Sequence, residues 1–362
     1  MHHATYFESL FQQHANKECR QKRMEHTQQQ PPSARLMQMI FAFALSRSIS
    51  VAAQFHIADH LKDGPKTAEE LASDAGVHPR SLYRLLRALA GAGIFSEDER
   101  GFFNQTELSE LLRSDHPESL RGFAEMMADA VNFETWAELP YSVENGDPAF
   151  PHKHNTPWFA WLETNPKEAK LFHDAMTSLS AGAVAAVVAG YDFSDINKLV
   201  DVGGGHGLLL STVLSKYPLM RGILFDDEKV VSGAPAVLSA HGVTERCELA
   251  GGNFFESVPK GGDAYILKHI IHDWSDDECV RILRHCHDSM LANGKVLIVE
   301  MVVPGPNVPA ISKLLDLEML LFLTGRERTE EEYKSLLDRA GFELRKIVPT
   351  PSPYSVVEGV KK

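Results

Sequence analysis

Beyond about residue 190 the chain alternates short apolar runs with helical stretches: KLVDVG, RGILFD, DAYILK and KVLIVE, then FELRKIVPT and YSVVEGV close together at the end. Strands that are separated by helices pair most readily as parallel neighbours joined by crossovers, so this half predicts an α/β, Rossmann-like, doubly wound sheet. The last two runs follow each other too closely for a crossover helix. They predict an antiparallel hairpin at one edge.

The preceding half reads as mostly helical. Its first thirty or so residues, rich in Gln and His and ending in QQQPPS, suggest a loosely ordered arm with at most one short helix. From Ala34 to Leu61, Leu36, Met39, Ile40, Phe43 and Leu45 recur at roughly helical spacing. Thr67 and Glu70 form a capping box that opens one helix, and Pro79 suits the first position of the next. That second helix, SLYRLLRALAGAGIF, carries Leu82, Leu85, Leu86 and Leu89 on one face. Ile94, Phe95, Phe102 and Phe103 then flank the polar turn SEDERG. Helix, turn, helix and a two-stranded wing predict a winged helix, which serves either DNA binding or dimerisation. Arg80, Arg84 and Arg87 share a helix face, but the chain carries a formal net charge of −13. Phosphate binding needs a basic surface, so the balance disfavours nucleic acid as a partner.

Residues 119–190 are crowded with aromatic and sulfur side chains, among them Trp136, Phe172 and Met176. Any one of them is ordinary core. As a set they suit the wall of a pocket for a flat apolar ligand, and Met319 and Phe322 are further candidates by position. Cys19, Cys247, Cys279 and Cys286 match neither a zinc site nor a disulfide framework, so a cytoplasmic protein with reduced thiols is expected. Apolar runs such as AGAVAAVVAG are shorter than a membrane span, and no membrane association is expected.

Two segments carry the chemistry. The run KLVDV enters Gly203-Gly204-Gly205-His206-Gly207 and then LLLSTVLSKY, so a strand passes through a glycine loop into a helix N-terminus. Asp226 closes the next strand, where a carboxylate can accept both hydroxyls of a ribose. A dinucleotide site uses the same ingredients. The G-x-G-x-G spacing and the acidic Asp201 before the glycines favour S-adenosylmethionine over NAD. The second segment is AYILK-HIIHDWSDDE. It places His272 between the carboxyl end of a strand and a helix opened by Ser275 and Glu278. Ligand chemistry in open parallel sheets lies in that crevice. By itself a histidine in a loop is most often structural, and His269 reads as a packing or polar wall residue.

In order along the chain, LVDVGGGHG, ILFD, LKHIIHDWSDDE, VLIVE and GRERTEEEY resemble the motifs of the caffeate/flavonoid-type O-methyltransferases, their bacterial natural-product relatives and the acetylserotonin methyltransferases. The resemblance covers about residues 34 to 360. It implies an S-adenosylmethionine-dependent O-methyltransferase, with S-adenosylhomocysteine as product, no metal, and a small hydroxylated, aromatic acceptor. His272 would be the general base, Asp273 its neighbour, and Glu300 and Glu327 the carboxylates that hold the imidazole. Asp201, Gly203, Gly205, Asp226 and Lys268 would serve the cofactor. Where the family has Asp-Met for the adenine, this chain has Gly252-Asn253-Phe254, so Asn253 would bond the amino group and Phe254 stack on the ring. The turn Asp226-Asp227-Glu228 replaces the family's Asp-Leu-Pro and is more acidic. The implied organisation is an arm (1–33), a winged-helix-like dimerisation domain (34–118) that makes a homodimer, a helical substrate-pocket region (119–190) and the cofactor-binding domain (191–362). Two alternatives stand beside this reading: a relative that binds the cofactor for hydroxylation or decarboxylation, and a DNA-binding regulator.

Overall fold

The Lys198–Val202 run begins a sheet whose strand order follows from which runs are apolar on both faces. In the computed structural model, which describes residues 31–362, a seven-stranded sheet contains β4 (Lys198–Val202), β5 (Arg221–Asp226), β6 (Cys247–Gly251), β7 (Ala264–Lys268), β8 (Lys295–Glu300), β9 (Phe342–Pro349) and β10 (Ser355–Lys361). Their spatial order is β6-β5-β4-β7-β8-β10-β9. β4 pairs parallel to both β5 and β7, and the order reverses there, so the carboxyl ends of β4, β5 and β7 open onto one crevice. β10 enters antiparallel between β8 and β9, which confirms the expected hairpin. The edge strand β6 was not among the apolar runs picked out in the sequence. Most of its residues are exposed or half-buried, so it carries no continuous apolar signal.

Two apolar clusters cover the sheet. One face packs Leu199, Ile266, Leu297 and Val299 against Leu209, Leu210 and Val213. The other packs Val200, Tyr265, Leu267 and Ile298 against Ile282, Leu283, Leu336 and Leu337.

The N-terminal part contains α1 (Pro32–Ile40), α2 (Ala42–Gln54), α3 (Ala68–Ala75) and α4 (Pro79–Gly91). The expected capping box is present: Glu70 N–H donates to Thr67 Oγ1 at 3.2 Å, and Thr67 N–H donates to Glu70 Oε2 at 2.8 Å. The wing is shorter than its flanking apolar residues suggested. β2 (Ser96–Glu97) and β3 (Phe102–Asn104) are completed by β1 (Lys66–Thr67), which pairs with β3. The arm expected over residues 1–33 lies, up to residue 30, outside the described residues.

Five short helices follow, α5 (Arg121–Met127), α6 (Ala130–Trp136), α7 (Leu139–Asn145), α8 (Ala149–His154) and α9 (Trp158–Thr164), and then the 25-residue α10 (Pro166–Gly190). Among the described residues, α10 and the stretch Pro32–Gln54 are long and apolar enough to cross a membrane by length and composition. The apolar runs in the sequence understated both, because interspersed Ser, His and Gln leave each helix unbroken. In the fold, α10 buries Ala175, Ala183, Val184, Val187 and Val188 and packs on α5 and on α11 (Leu208–Lys216).

Candidate active site

The crevice is built on strand ends. At the end of β4 the chain turns through Gly203, Gly205 and Gly207, with φ of 69°, 60° and 83°, a region that side chains disfavour. A Cβ at Gly204 would overlap Leu224 and the Asp201 carboxyl, so the loop must lie flat over the strand. Asp226, at the end of β5, accepts the Gly205 N–H on Oδ2 at 2.8 Å and the Asp227 N–H on Oδ1 at 2.7 Å. Each oxygen keeps a lone pair for a further donor. Burial pushes the Asp226 carboxyl above its usual range.

Beneath the loop, Asp201 is buried and its Oδ2 has no partner among the described residues. Burial, opposed by the positive Lys268, pushes its pKa up to about 7. Lys268 Nζ donates to Ser180 Oγ at 3.0 Å. A glycine cradle, an outward carboxylate and an unsatisfied buried acid fit a nucleoside ligand that brings donors of its own. Asn253 sits less simply than expected. Its Oδ1 already accepts the Phe255 N–H at 2.9 Å, so its side chain first closes its own turn. Phe254 leans on Phe255 and Trp274, with ring centroids 4.9 and 6.1 Å away.

The crevice continues to the His272 turn, a 3-10 segment spanning Ile271–Asp273 between β7 and α12 (Asp276–Ser289). His272 Nδ1 lies 2.7 Å from Glu327 Oε1 and 3.6 Å from Glu300 Oε2, while Nε2 lies 3.4 Å from Asp273 Oδ1. Glu327 therefore makes the imidazole hydrogen bond. Glu300 chiefly serves the backbone, its Oε1 accepting the N–H groups of Ile270 and Ile271 at 3.1 Å each. Burial alone would lower the His272 pKa, but Glu300, then Asp273, then the Glu327 hydrogen bond outweigh it and push it up to about 10. Burial pushes Glu300 up as well, and Asp273 up to about 6. Because the folded value of His272 exceeds its unfolded 6.5, the cluster's stabilisation is full below about pH 6.5 and is lost as the pH rises through about 10. His269 stands nearby at φ 56°, its ring 5.5 Å from that of His272. Burial, with Lys268 and His272, holds its pKa well below 6.5, so it stays neutral.

Sequence reasoning missed Arg328. Its guanidinium is fully buried, and it donates to the carbonyls of Ile271 at 2.8 Å and Trp274 at 3.0 Å and to Asp276 Oδ1 at 2.8 Å. It thus ties down the backbone on both sides of His272. GRERT offered a signal, since it places an arginine next to Glu327, but a charged side chain in a loop reads as solvated. Gly325 in the same segment packs so close to the His272 carbonyl that any Cβ would overlap it.

Trp136, Phe172 and Phe322 join an aromatic cluster with Phe150, Trp158, Phe159 and Trp161. Met176 and Met319, assigned to the pocket by position, are not part of it: Met319 is buried and Met176 half-buried on α10. The cluster reaches the His272 turn where Phe159 meets Trp274 at 5.9 Å between ring centroids.

A family model described as an O-methyltransferase domain matches residues 136–343, and one described as an O-methyltransferase dimerisation domain matches residues 37–115. The phenazine O-methyltransferase of Lysobacter antibioticus is 42% identical over 328 residues, covering 91% of this chain and 96% of that protein. The 8-amino-8-demethylriboflavin N,N-dimethyltransferase of Streptomyces davaonensis is 34% identical and covers 84% of this chain and 89% of its own. A crystal structure of CalO1, a methyltransferase in calicheamicin biosynthesis in its S-adenosylhomocysteine-bound form, superposes with a TM-score of 0.84 at 33% identity, covering 91% of this chain and 98% of that one.

Two expectations follow from the geometry. In the unliganded protein the His272 ring titrates far above 6.5, seen in imidazole nitrogen shifts, and Glu300→Gln brings it down by about one unit or more. A ring titrating near 6.5 in both proteins contradicts the electrostatic reading. Arg328→Ala leaves two buried carbonyls unpaired and costs about 3–5 kcal/mol in denaturant unfolding; a loss below about 1 kcal/mol would show that the clamp is dispensable.

Proposed function

Because the chain belongs to the O-methyltransferase family and is an S-adenosylmethionine-dependent methyltransferase, we propose that it methylates a phenolic hydroxyl of a small aromatic natural product with His272 as general base. The hydrogen bond between His272 Nδ1 and Glu327 carries this reading, because it commits Nδ1 and makes Nε2 the nitrogen that exchanges a proton with the acceptor.

Bound S-adenosylmethionine supplies an electrophilic methyl group on a sulfonium sulfur. Asp226, Gly203 and Gly205 would hold its nucleoside half, Asn253 and Phe254 would adjoin the base, and Asp201 and Lys268 lie beneath the loop. The proton of the acceptor hydroxyl passes to Nε2 of His272 as the oxygen attacks. Nδ1–H keeps its bond to Glu327, and Glu300 adds a second negative charge to stabilise the imidazolium. A free phenol, with pKa near 10, gives up its proton to an ordinary histidine at a cost of about 3.5 pKa units, roughly 5 kcal/mol. Raising His272 to about 10 brings the two into balance. At neutral pH the empty site therefore holds an imidazolium, which must release its Nε2 proton to solvent before it can take the acceptor's.

His272, Glu300 and Glu327 also bring three ligand-type atoms within 4.8 Å of one another, an arrangement a divalent cation can use. In the proposed mechanism the Nδ1 proton occupies that space instead. Homodimerisation fits the N-terminal part, where Leu36, Met37, Met39, Ile40, Phe41 and Phe43 are each 59–65% exposed, an apolar face that a second copy would cover.

His272→Ala should lower kcat for a phenolic acceptor by at least ~10²-fold, while the wild type keeps its rate in EDTA. An unchanged mutant rate removes His272 from the chemistry, and a rate lost in EDTA but restored by added metal replaces the proton with a cation. Asp226→Ala should weaken S-adenosylmethionine binding in calorimetry far more than acceptor binding; equal losses would remove Asp226 from the ribose.

A further inference from the structure

Helix α13 (Ser312–Phe322) carries a carboxylate that the mechanism does not use. Glu318 is 8% exposed. Its Oε2 accepts the Trp136 indole N–H at 2.7 Å, and among the described residues its other oxygen has no hydrogen-bond partner and the group no basic side chain in ion-pair range. A buried carboxylate without a counter-charge is costly to keep. Burial pushes its pKa up to about 7, against the Trp136 hydrogen bond. The fold gains little from this, since a glutamine would serve the indole equally well. Its neighbours belong to the aromatic cluster that reaches the His272 turn: Trp136 is a member, and so are Leu321 and Phe322 on the same helix. The helix is also fixed relative to the base, because Asp316 Oδ1 accepts the Glu327 N–H at 2.9 Å.

We propose that Glu318 is a specificity-determining residue whose unpaired oxygen receives a hydrogen-bond donor, an O–H or N–H, carried by the aromatic acceptor away from the hydroxyl that is methylated. This rests on the proposed phenolic methyl transfer at His272 and adds the class of acceptor: a planar ring system with a second, donating substituent. One end of the acceptor meets Nε2 of His272 and the other meets Glu318, so the two groups fix which hydroxyl reaches the base.

The test compares a dihydroxynaphthalene with its mono-methoxy counterpart, using the full-length enzyme, by kcat/KM and by calorimetric binding with S-adenosylhomocysteine present. The wild type favours the acceptor with two donors. Glu318→Leu removes that preference, a change of about tenfold or more in the ratio. Glu318→Gln keeps its carbonyl oxygen on the Trp136 N–H and turns its NH2 toward the acceptor, so the preference reverses in favour of the methoxy compound. Thermal melts verify that both variants fold, and the near-isosteric glutamine guards against a packing effect of leucine. A purely structural role would leave the ratio at its wild-type value in both variants, which overturns the proposal while methyl transfer stands. If the wild type neither binds nor methylates either phenol, the acceptor reading itself fails and Glu318 falls with it.

Discussion

Everything at the site depends on one short turn being held from two sides. Residues 270–274 leave the end of β7 as a tight turn in which the Asp273 N–H donates to the Ile270 carbonyl. Glu300 collects the N–H groups of Ile270 and Ile271, and Arg328 collects the carbonyls of Ile271 and Trp274. Both clamps are fully buried and both are ionic, so each replaces water that the turn would otherwise need. A histidine on an unsupported loop would sample several rotamers and tautomers. Here the backbone is fixed before the imidazole meets Glu327, and that last hydrogen bond then sets which nitrogen is free.

The same clamps set the electrostatics. Three carboxylates, Asp273, Glu300 and Glu327, lie within 4 Å of one imidazole, with little water to screen them. Such a group is unfavourable unless it retains a proton, and the protonated ring is the favoured resting place. Stability and chemistry thereby draw on one feature. The charge that makes the empty cluster acceptable as an imidazolium also raises the basicity of His272. His269 cannot take the role, although it lies close by: burial and two positive neighbours keep it neutral and weakly basic.

The parallel sheet with its terminal hairpin, the glycine loop and the N-terminal helices were legible in the sequence because each depends on local pattern. Apolar periodicity, capping residues and residue types at strand ends carry that information without tertiary contacts. His272, by contrast, stood out only through the family resemblance of LKHIIHDWSDDE. Arg328 was not legible, because its meaning lies in carbonyls about fifty residues earlier in the chain. The division of labour between the glutamates was also hidden: both appeared as partners of the ring, whereas Glu300 mainly serves the backbone. β6 escaped notice because an exposed edge strand needs no apolar run. Glu318 was concealed in SKLLDLEMLLF, where Asp316 and Glu318 together read as the solvent side of an amphipathic helix. Met176 and Met319 lie outside the aromatic cluster, which draws Phe150 and Trp158 from the aromatic-rich stretch that the sequence marks between residues 119 and 190.

The structure separates the His272 turn from the aromatic walls that reach it. His272 is held by β7, β8 and the Gly325–Arg328 segment, all attached to the sheet, whereas the aromatic cluster comes mainly from helices between residues 130 and 172. The two touch where Phe159 packs on Trp274, and the cluster also takes in Leu321 and Phe322 of α13, beside the Trp136–Glu318 hydrogen bond. A substitution in the walls can change the shape and polarity offered to an acceptor without disturbing the hydrogen bond that fixes the imidazole. Relatives whose names specify a phenazine in one case and an aminoflavin in another share this architecture at 42% and 34% identity. Glu318 lies between the His272 turn and the aromatic walls. It stands on the helix that anchors Glu327, yet its side chain faces the aromatic cluster.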